Sequence, residues 1–314
     1  MNFCMRYLSL WFILLVLVHI NCANSPNAPG KFGSLNLNFH ITGHKISGNT
    51  SLVKSTESLS FSRIIIEVYP SGSAATDNVS ARESIARLEL ELTPNDIEFE
   101  GSLEVPAGEN HLVIVRLFQT DFSTPASTGD ASEKLTFCGR KTISVAAGST
   151  VEANIDLYPL PIRGRRVVIH IGSIEMKADA SLKLLPVSVA NLDSLRGIQF
   201  DMYLNSQYIK LNSTQKTERT AAFSDVNFNY LESYNDEVRV IIFDRTKGAA
   251  LLPIKDECAI PDPIVYLGIS LSPETDVTNR ISIPLTISRV IVTSTAFNPL
   301  EVWVVDGELI LLEQ

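Results

Sequence analysis

The chain is poor in the residues that metal centres and disulfide frameworks require, with four cysteines and five histidines among 314 residues. Past Cys22 only Cys138 and Cys258 remain, too few for a disulfide framework and too widely spaced for a zinc site. They read as two buried free thiols, with a single interdomain bridge as the alternative. His40 and His44 lie four apart in FHITGHK without a neighbouring carboxylate or cysteine, which describes solvated turn histidines better than metal ligands. The sequence has no Gly-x-Ser-x-Gly elbow, no phosphate-cradling glycine loop and no HExxH. Asp256-Glu257 and the pair Asp96 and Glu98 fall in loop or strand-edge settings, where nothing makes them converge as acid–base chemistry requires. DVTNR and DECAIPDP offer oxygen ligands without the regular spacing of a calcium loop. The expectation is no catalytic residue, no metal and no cofactor.

Basic residues are also in deficit. Lys and Arg number 26 against 35 Asp and Glu, a formal net charge of −9. That balance argues against nucleic-acid binding, which needs a basic footprint.

Helical periodicity is almost missing. In its place, apolar alternation recurs in short runs separated by Gly, Pro, Asn, Asp and Ser. SLNLNFHITG, SRIIIEVYP, ARLELELTP, HLVIVRLFQTD and TVEANIDLYPLP are representative of the first half, whose count of about seven strands fits an antiparallel sandwich. PLPIRGRR (Pro159–Arg166) breaks the pattern, because its prolines cannot join a ladder and its arginines have no core to face. Some nine or ten further runs follow, enough for a second and larger sandwich. The predicted fold is all-β: two β-sandwich domains over 32–160 and 167–314, joined by a linker at 161–166.

The start of the chain reads as an address. MNFCMR, an apolar run Tyr7–Val18 and a polar exit make a secretory signal over 1–21. The run is short against the roughly 20 residues a bilayer span needs. Cys22 follows directly, and VHINC loosely resembles the lipobox of bacterial lipoproteins. Residues 22–31 then read as a tether from a lipidated Cys22, placing the protein outside the cell or in the envelope with a lipid anchor as its only membrane attachment. Ordinary cleavage nearby, without lipidation, is the alternative.

The second domain resembles a cohesin, the jelly-roll sandwich of bacterial scaffold proteins. LPVSVANLDSLRGIQFDMYL matches that family's early strand pair, and YIKLNST matches the segment after it. NFNYLESYNDEVRVIIFDRTKG matches its "F-N-Y … F-D … G" hairpin, and VWVVDGELIL its closing strand. The resemblance implies a non-enzymatic module that binds a protein partner, with a dockerin-bearing protein first among candidates. It places partner contacts on Gln199, Ile242, Arg245 and Gly248, with Ile242 as the apolar centre and Gln199 and Arg245 as polar margin. Departures accompany it: Gly197 stands where dockerin-binding members carry an asparagine, and Arg245 reverses an expected charge. Tyr203, Phe228, Tyr230, Tyr234 and Trp303 raise polysaccharide binding on the same fold as an alternative, although alternation puts Phe228 and Tyr230 on the core side. A third reading is a structural envelope protein. The first domain resembles, more loosely, the transthyretin-like or Ig-like sandwiches of exported bacterial proteins, through VPAGENHLVIV and VAAGSTVEANI. In both, glycine is expected to take the positive φ of a tight turn.

Overall fold

The computed structural model describes residues 31–46, 61–71, 83–92, 102–120, 133–177, 182–231, 234–245, 248–254, 258–272, 275, 279–294 and 300–313. The signal segment and Cys22, the paired carboxylates at 96/98 and 256/257, and most of DVTNR lie outside them. Strands dominate, as the alternation requires. The first half holds β1 (Phe32–Ile41), β2 (His44–Ile46), β3 (Phe61–Tyr69), β4 (Ala86–Glu91), β5 (Ser102–Pro106), β6 (Gly108–Thr120), β7 (Glu133–Val145) and β8 (Thr150–Pro159). The second half holds β9 (Arg166–Ile171), β10 (Ile174–Lys177), β11 (Lys183–Ala190), β12 (Leu195–Tyr203), β13 (Ile209–Lys216), β14 (Asp225–Leu231) and β15 (Tyr234–Phe243). It continues with β16 (Pro263–Leu271), β17 (Ile281–Ser294), β18 (Glu301–Val305) and β19 (Gly307–Leu312). TERTAAFSDV, read as a strand from its sequence, instead contains a 3₁₀ turn at Glu218–Thr220, capped by Thr217 and Thr220 bonding to each other's backbone and side chain.

The chain divides into two compact units, Met1–Thr42 with Ser58–Tyr158, and Gly43–Glu57 with Pro159–Gln314. The sequence reading put all of 32–160 in the first domain. The structure instead gives β2 to the second unit, where it pairs antiparallel with β18. Three residues are too short a run for alternation to reveal such a partner.

In the first unit the strand order is β4-β3-β6-β7-β8-β1-β5, and the end strands β4 and β5 touch as the sheet folds over its core. Leu35, Leu37 and Phe39 of β1, Ile64, Ile66 and Val68 of β3, and Ala153, Ile155 and Leu157 of β8 are buried at alternate positions. The β7–β8 turn takes its positive φ at Gly148 (+71°), as expected; in the earlier turn Asn110 (+55°) adopts it, and Gly108 does not. The outward side of β3, β4 and β6 carries a closed ion-pair network. Glu67 accepts from Tyr69 Oη (3.0 Å), Arg87 Nη1 (3.0 Å) and Arg116 Nη1. Glu89 accepts from Arg63 Nη1 (2.6 Å) and Arg87 Nη2 (2.8 Å), and Arg63 also stacks on Phe118.

The second unit is a sandwich of two six-stranded sheets. We call β10-β19-β17-β12-β15-β14 the front sheet and β13-β16-β11-β9-β18-β2 the back sheet. Ile198, Phe200 and Met202 of β12, Val238, Val240 and Ile242 of β15, and Leu285 and Ile287 of β17 belong to one apolar core. Leu185, Val187 and Val189 of β11 and Val265, Leu267 and Ile269 of β16 supply its other side. Two edges are stitched together by side chains. Tyr230 Oη donates to Leu211 O (2.9 Å) and accepts from Leu211 N–H (2.8 Å), and Thr214 Oγ1 donates to Val226 O (2.9 Å). Backbone groups that β13 and β14 would otherwise leave bare are thus partly satisfied without a further strand.

Cys138 and Cys258 are both disulfide-bonded, which corrects the reading of them as free thiols. Among the described residues no helix is long and apolar enough to cross a membrane.

Candidate interaction face

The register of the front sheet lays out its outward side. Gly197, Gln199, Asp201 and Tyr203 of β12 alternate with the core residues, as GIQFDMYL predicts. Gly197 pairs with Phe243 on β15 and Thr293 on β17; Gln199 with Ile241 and Ile291; Asp201 with Arg239 and Arg289. β14 adds Asp225, Asn227 and Asn229 beside Phe243, Ile241 and Arg239. Each row across four strands is therefore a line of adjacent side chains at about 5 Å spacing.

The upper two rows are apolar in substance. Phe243 is 44% exposed and Ile291 54% exposed, and Ile241 is half-buried between its neighbours. Gly197 points outward yet is buried, because Phe243 leans across it. A Cβ there would stand 3.0 Å from Phe243 Cδ2 and 3.3 Å from Ile242 O, tighter than ordinary contact. The missing side chain at Gly197 is the space in which the Phe243 ring lies. Gln199 sits amid this apolar surface, half-buried, and its amide has no hydrogen-bond partner among the described residues.

The third row is ionic. Arg239 Nε donates to Asp201 Oδ1 (2.6 Å) and Nη2 to Oδ2 (2.8 Å), a bidentate pair that leaves the Asp201 carboxylate fully buried under the guanidinium. The bond to Asp201 raises the Arg239 pKa above its ordinary value. Arg289, beyond Asp201, is exposed and has no acidic partner among the described residues. A bulge between Asp201 and Met202 shifts the pairing with β17 by one residue at Ser288. Tyr203, 42% exposed, closes the face at the lower end next to Glu237.

The residues expected from sequence are only partly assembled on this face. Gln199 is on it. Ile242 is not: it is 1% exposed and faces the core, and Ile241 takes the outward place assigned to it. The error is one of phase in VRVIIF, where consecutive apolar residues blur a period of two. Arg239 carries the phase, since a charged residue turned outward forces Ile241 and Phe243 outward and Ile242 in. The same logic around Arg289 finds Ile291, which the sequence reading missed. Arg245 is exposed at the upper corner, but its charge is engaged, with Nε 2.7 Å from Asp225 Oδ2. Gly248 is exposed in the loop beyond, whose turn is held by Ala249 N–H donating to the buried Asp244 (2.7 Å).

Other candidate chemistry is absorbed by structure. Trp303 is buried, with the Arg166 guanidinium 4.6 Å above its ring. Tyr230 is tied to Leu211, and Phe228 packs on the core edge-on to it. Beneath Gly197 lies a packing gap lined by Leu195, Phe223, Leu251 and Ile264, with no room for a water molecule. His40 is exposed, 3.5 Å from Asp156. Among the described residues no group of three His, Cys, Asp or Glu could hold a metal ion.

No family model and no curated protein matches this chain. Solved structures do. One is a type I cohesin–dockerin complex from Clostridium thermocellum, at 8% identity and a TM-score of 0.39, covering 48% of this chain and 96% of that one. Another is a non-cellulosomal cohesin from Archaeoglobus fulgidus, at 18% identity and 0.35, covering 47% and 91%. A third is a type I cohesin from Pseudobacteroides cellulosolvens, at 10% identity and 0.39, covering 48% and 94%. Each of these matches covers just under half of this chain, whose second unit is by its own strand order a sandwich of two six-stranded sheets.

Proposed function

We propose that this is an exported, lipid-anchored and non-enzymatic protein whose second sandwich binds a protein partner through the outward face of the front sheet. One observation carries the reading: Phe243 and Ile241 of β15 and Ile291 of β17 put apolar surface on both flanks of Gln199 on the outward side of the sheet, with Phe243 and Ile291 exposed and polar side chains around them. An apolar centre with a polar rim is the anatomy of an interface, and it costs solubility unless something covers it. The sequence motifs make a dockerin-type module the first candidate. Binding would be measured by calorimetry against a panel of purified dockerins. An interaction abolished by Ile291→Asp supports the reading; one that ignores this substitution places the contact elsewhere.

Polysaccharide binding has less support, since Tyr203 and Phe243 are the face's exposed aromatics and they stand at opposite ends of it. Sugar binding on a glycan array that disappears with Tyr203→Ala would reverse that ranking. Export is supported by the leader-like start and by the two disulfide-bonded cysteines, since disulfides persist in oxidising compartments. Labelled palmitate that enters the protein independently of Cys22 would end the lipoprotein reading.

A further inference from the structure

We infer that the partner surface received by this face is acidic: a polypeptide segment presenting an apolar side chain with a carboxylate about 7 Å away. The inference rests on the interaction reading above and adds the chemistry of the partner.

The arginines on and beside the face fall into two kinds. Arg239 and Arg245 are neutralised in place by Asp201 and Asp225. Arg289 and Arg196 have no acidic partner among the described residues, in a chain whose net charge is −9. Arg289 shares its strand and side with Ile291, two residues on. That separation is roughly 7 Å along a strand. A partner that seats an apolar side chain against Ile291 therefore brings a group roughly 7 Å further along the strand onto the Arg289 guanidinium. Arg196 is half-buried at the other end of β12, at the bulge between Leu195 and Gly197. Burying Arg289 without a carboxylate would be costly, and a cationic partner would be repelled from it.

Gln199 narrows the choice further. Its amide stands between Ile241 and Ile291 and would be buried by any partner that covers them. A buried amide needs a donor and an acceptor in return. A polypeptide supplies both from its main chain, whereas a purely apolar surface supplies neither. Spacing of about 7 Å corresponds to positions i and i+2 of an extended segment, and is near the i, i+4 separation on a helix.

The test is selection of phage-displayed random 12-residue peptides on the full chain, followed by affinity measurements with the synthesised winners. The expected result is peptides in which Asp or Glu lies within four residues of Leu, Ile, Met or Phe. Their affinity should fall about tenfold with Arg289→Glu and recover when the peptide carboxylate is exchanged for Lys. It should also weaken as salt rises from 50 to 500 mM. Peptides that require Ile291 but show no acidic enrichment and no response to Arg289→Glu overturn this inference and leave the interaction reading standing. If no selected peptide is lost with Ile291→Asp, both fall. Ile291 and Arg289 are exposed, so a melting temperature close to that of the parent chain verifies that each variant is folded.

Discussion

The two units each turn a charged sheet face outward, and the faces differ in what their charges have left to do. In the first unit Glu67 and Glu89 gather Arg63, Arg87, Arg116 and the Tyr69 hydroxyl into one closed network. Each of those side chains is bonded to at least one neighbour in the network. In the second unit the Asp201–Arg239 pair is equally closed, but Arg289 and the Gln199 amide are not, and they border exposed isoleucine and phenylalanine. Charge density alone would rank the first face as the more functional. Counting unspent hydrogen-bonding capacity reverses the order. A saturated network stabilises its own sheet, whereas an unsaturated one beside apolar surface is a recognition surface waiting for its complement.

Breaking the closed pair in the second face should have the largest effect. Arg239→Ala leaves the fully buried Asp201 carboxylate without its cation, at a cost of about 3–5 kcal/mol measured by urea unfolding. A loss below 1 kcal/mol would show that water reaches Asp201 and that the pair is not closed. Acid comes next and sets the pH at which the faces can be compared. Burial pushes the His170 imidazole down to about 4. The folded state therefore prefers neutral His170, while the unfolded chain protonates near the ordinary value of 6.5. Stability is full above that value and falls as pH drops from 6.5 towards 4, by about 3 kcal/mol in all. His170→Phe should flatten this part of the pH–stability curve; an unchanged curve would assign the acid sensitivity elsewhere.

The network of the first unit should respond more mildly. Glu67→Gln keeps the shape but removes the charge shared by Arg87 and Arg116, costing about 2 kcal/mol. The smallest effect belongs to the open face. Arg289→Ala should change stability by no more than about 0.5 kcal/mol, because the guanidinium is exposed and has no acidic partner among the described residues. If Arg289→Ala destabilised as much as Glu67→Gln, the contrast between a closed and an open face would collapse.

Much of this architecture was legible before any coordinates. Ile198, Phe200 and Met202 announced an inward row in GIQFDMYL, and the breaks around them implied two sandwiches. What stayed hidden had definite physical causes. In VRVIIF the alternation is masked by apolar residues on both sides of the strand, so the face was read one residue out of phase at Ile242. In SRVIVTS no local pattern sets Ile291 apart from its apolar neighbours, whereas the register sets it opposite Gln199. The glycine at 197 could be noticed but not understood, since its reason, the Phe243 ring, lies 46 residues away on a neighbouring strand. Ion pairs such as Asp201 with Arg239 depend on cross-strand register, which no local pattern records.

The short strand β2 has a consequence for heredity as well as for packing. Lys45 pairs with Trp303 and reaches Glu301 at 3.2 Å, so the back sheet is completed by residues encoded more than a hundred codons before the rest of that sandwich. Domains that travel between genes are ordinarily contiguous, with both ends of one stretch marking the unit that moves. This sandwich has no such stretch. A recombination that carried away everything after Pro159 would deliver a sandwich missing its edge strand, with the flank of β18 left bare.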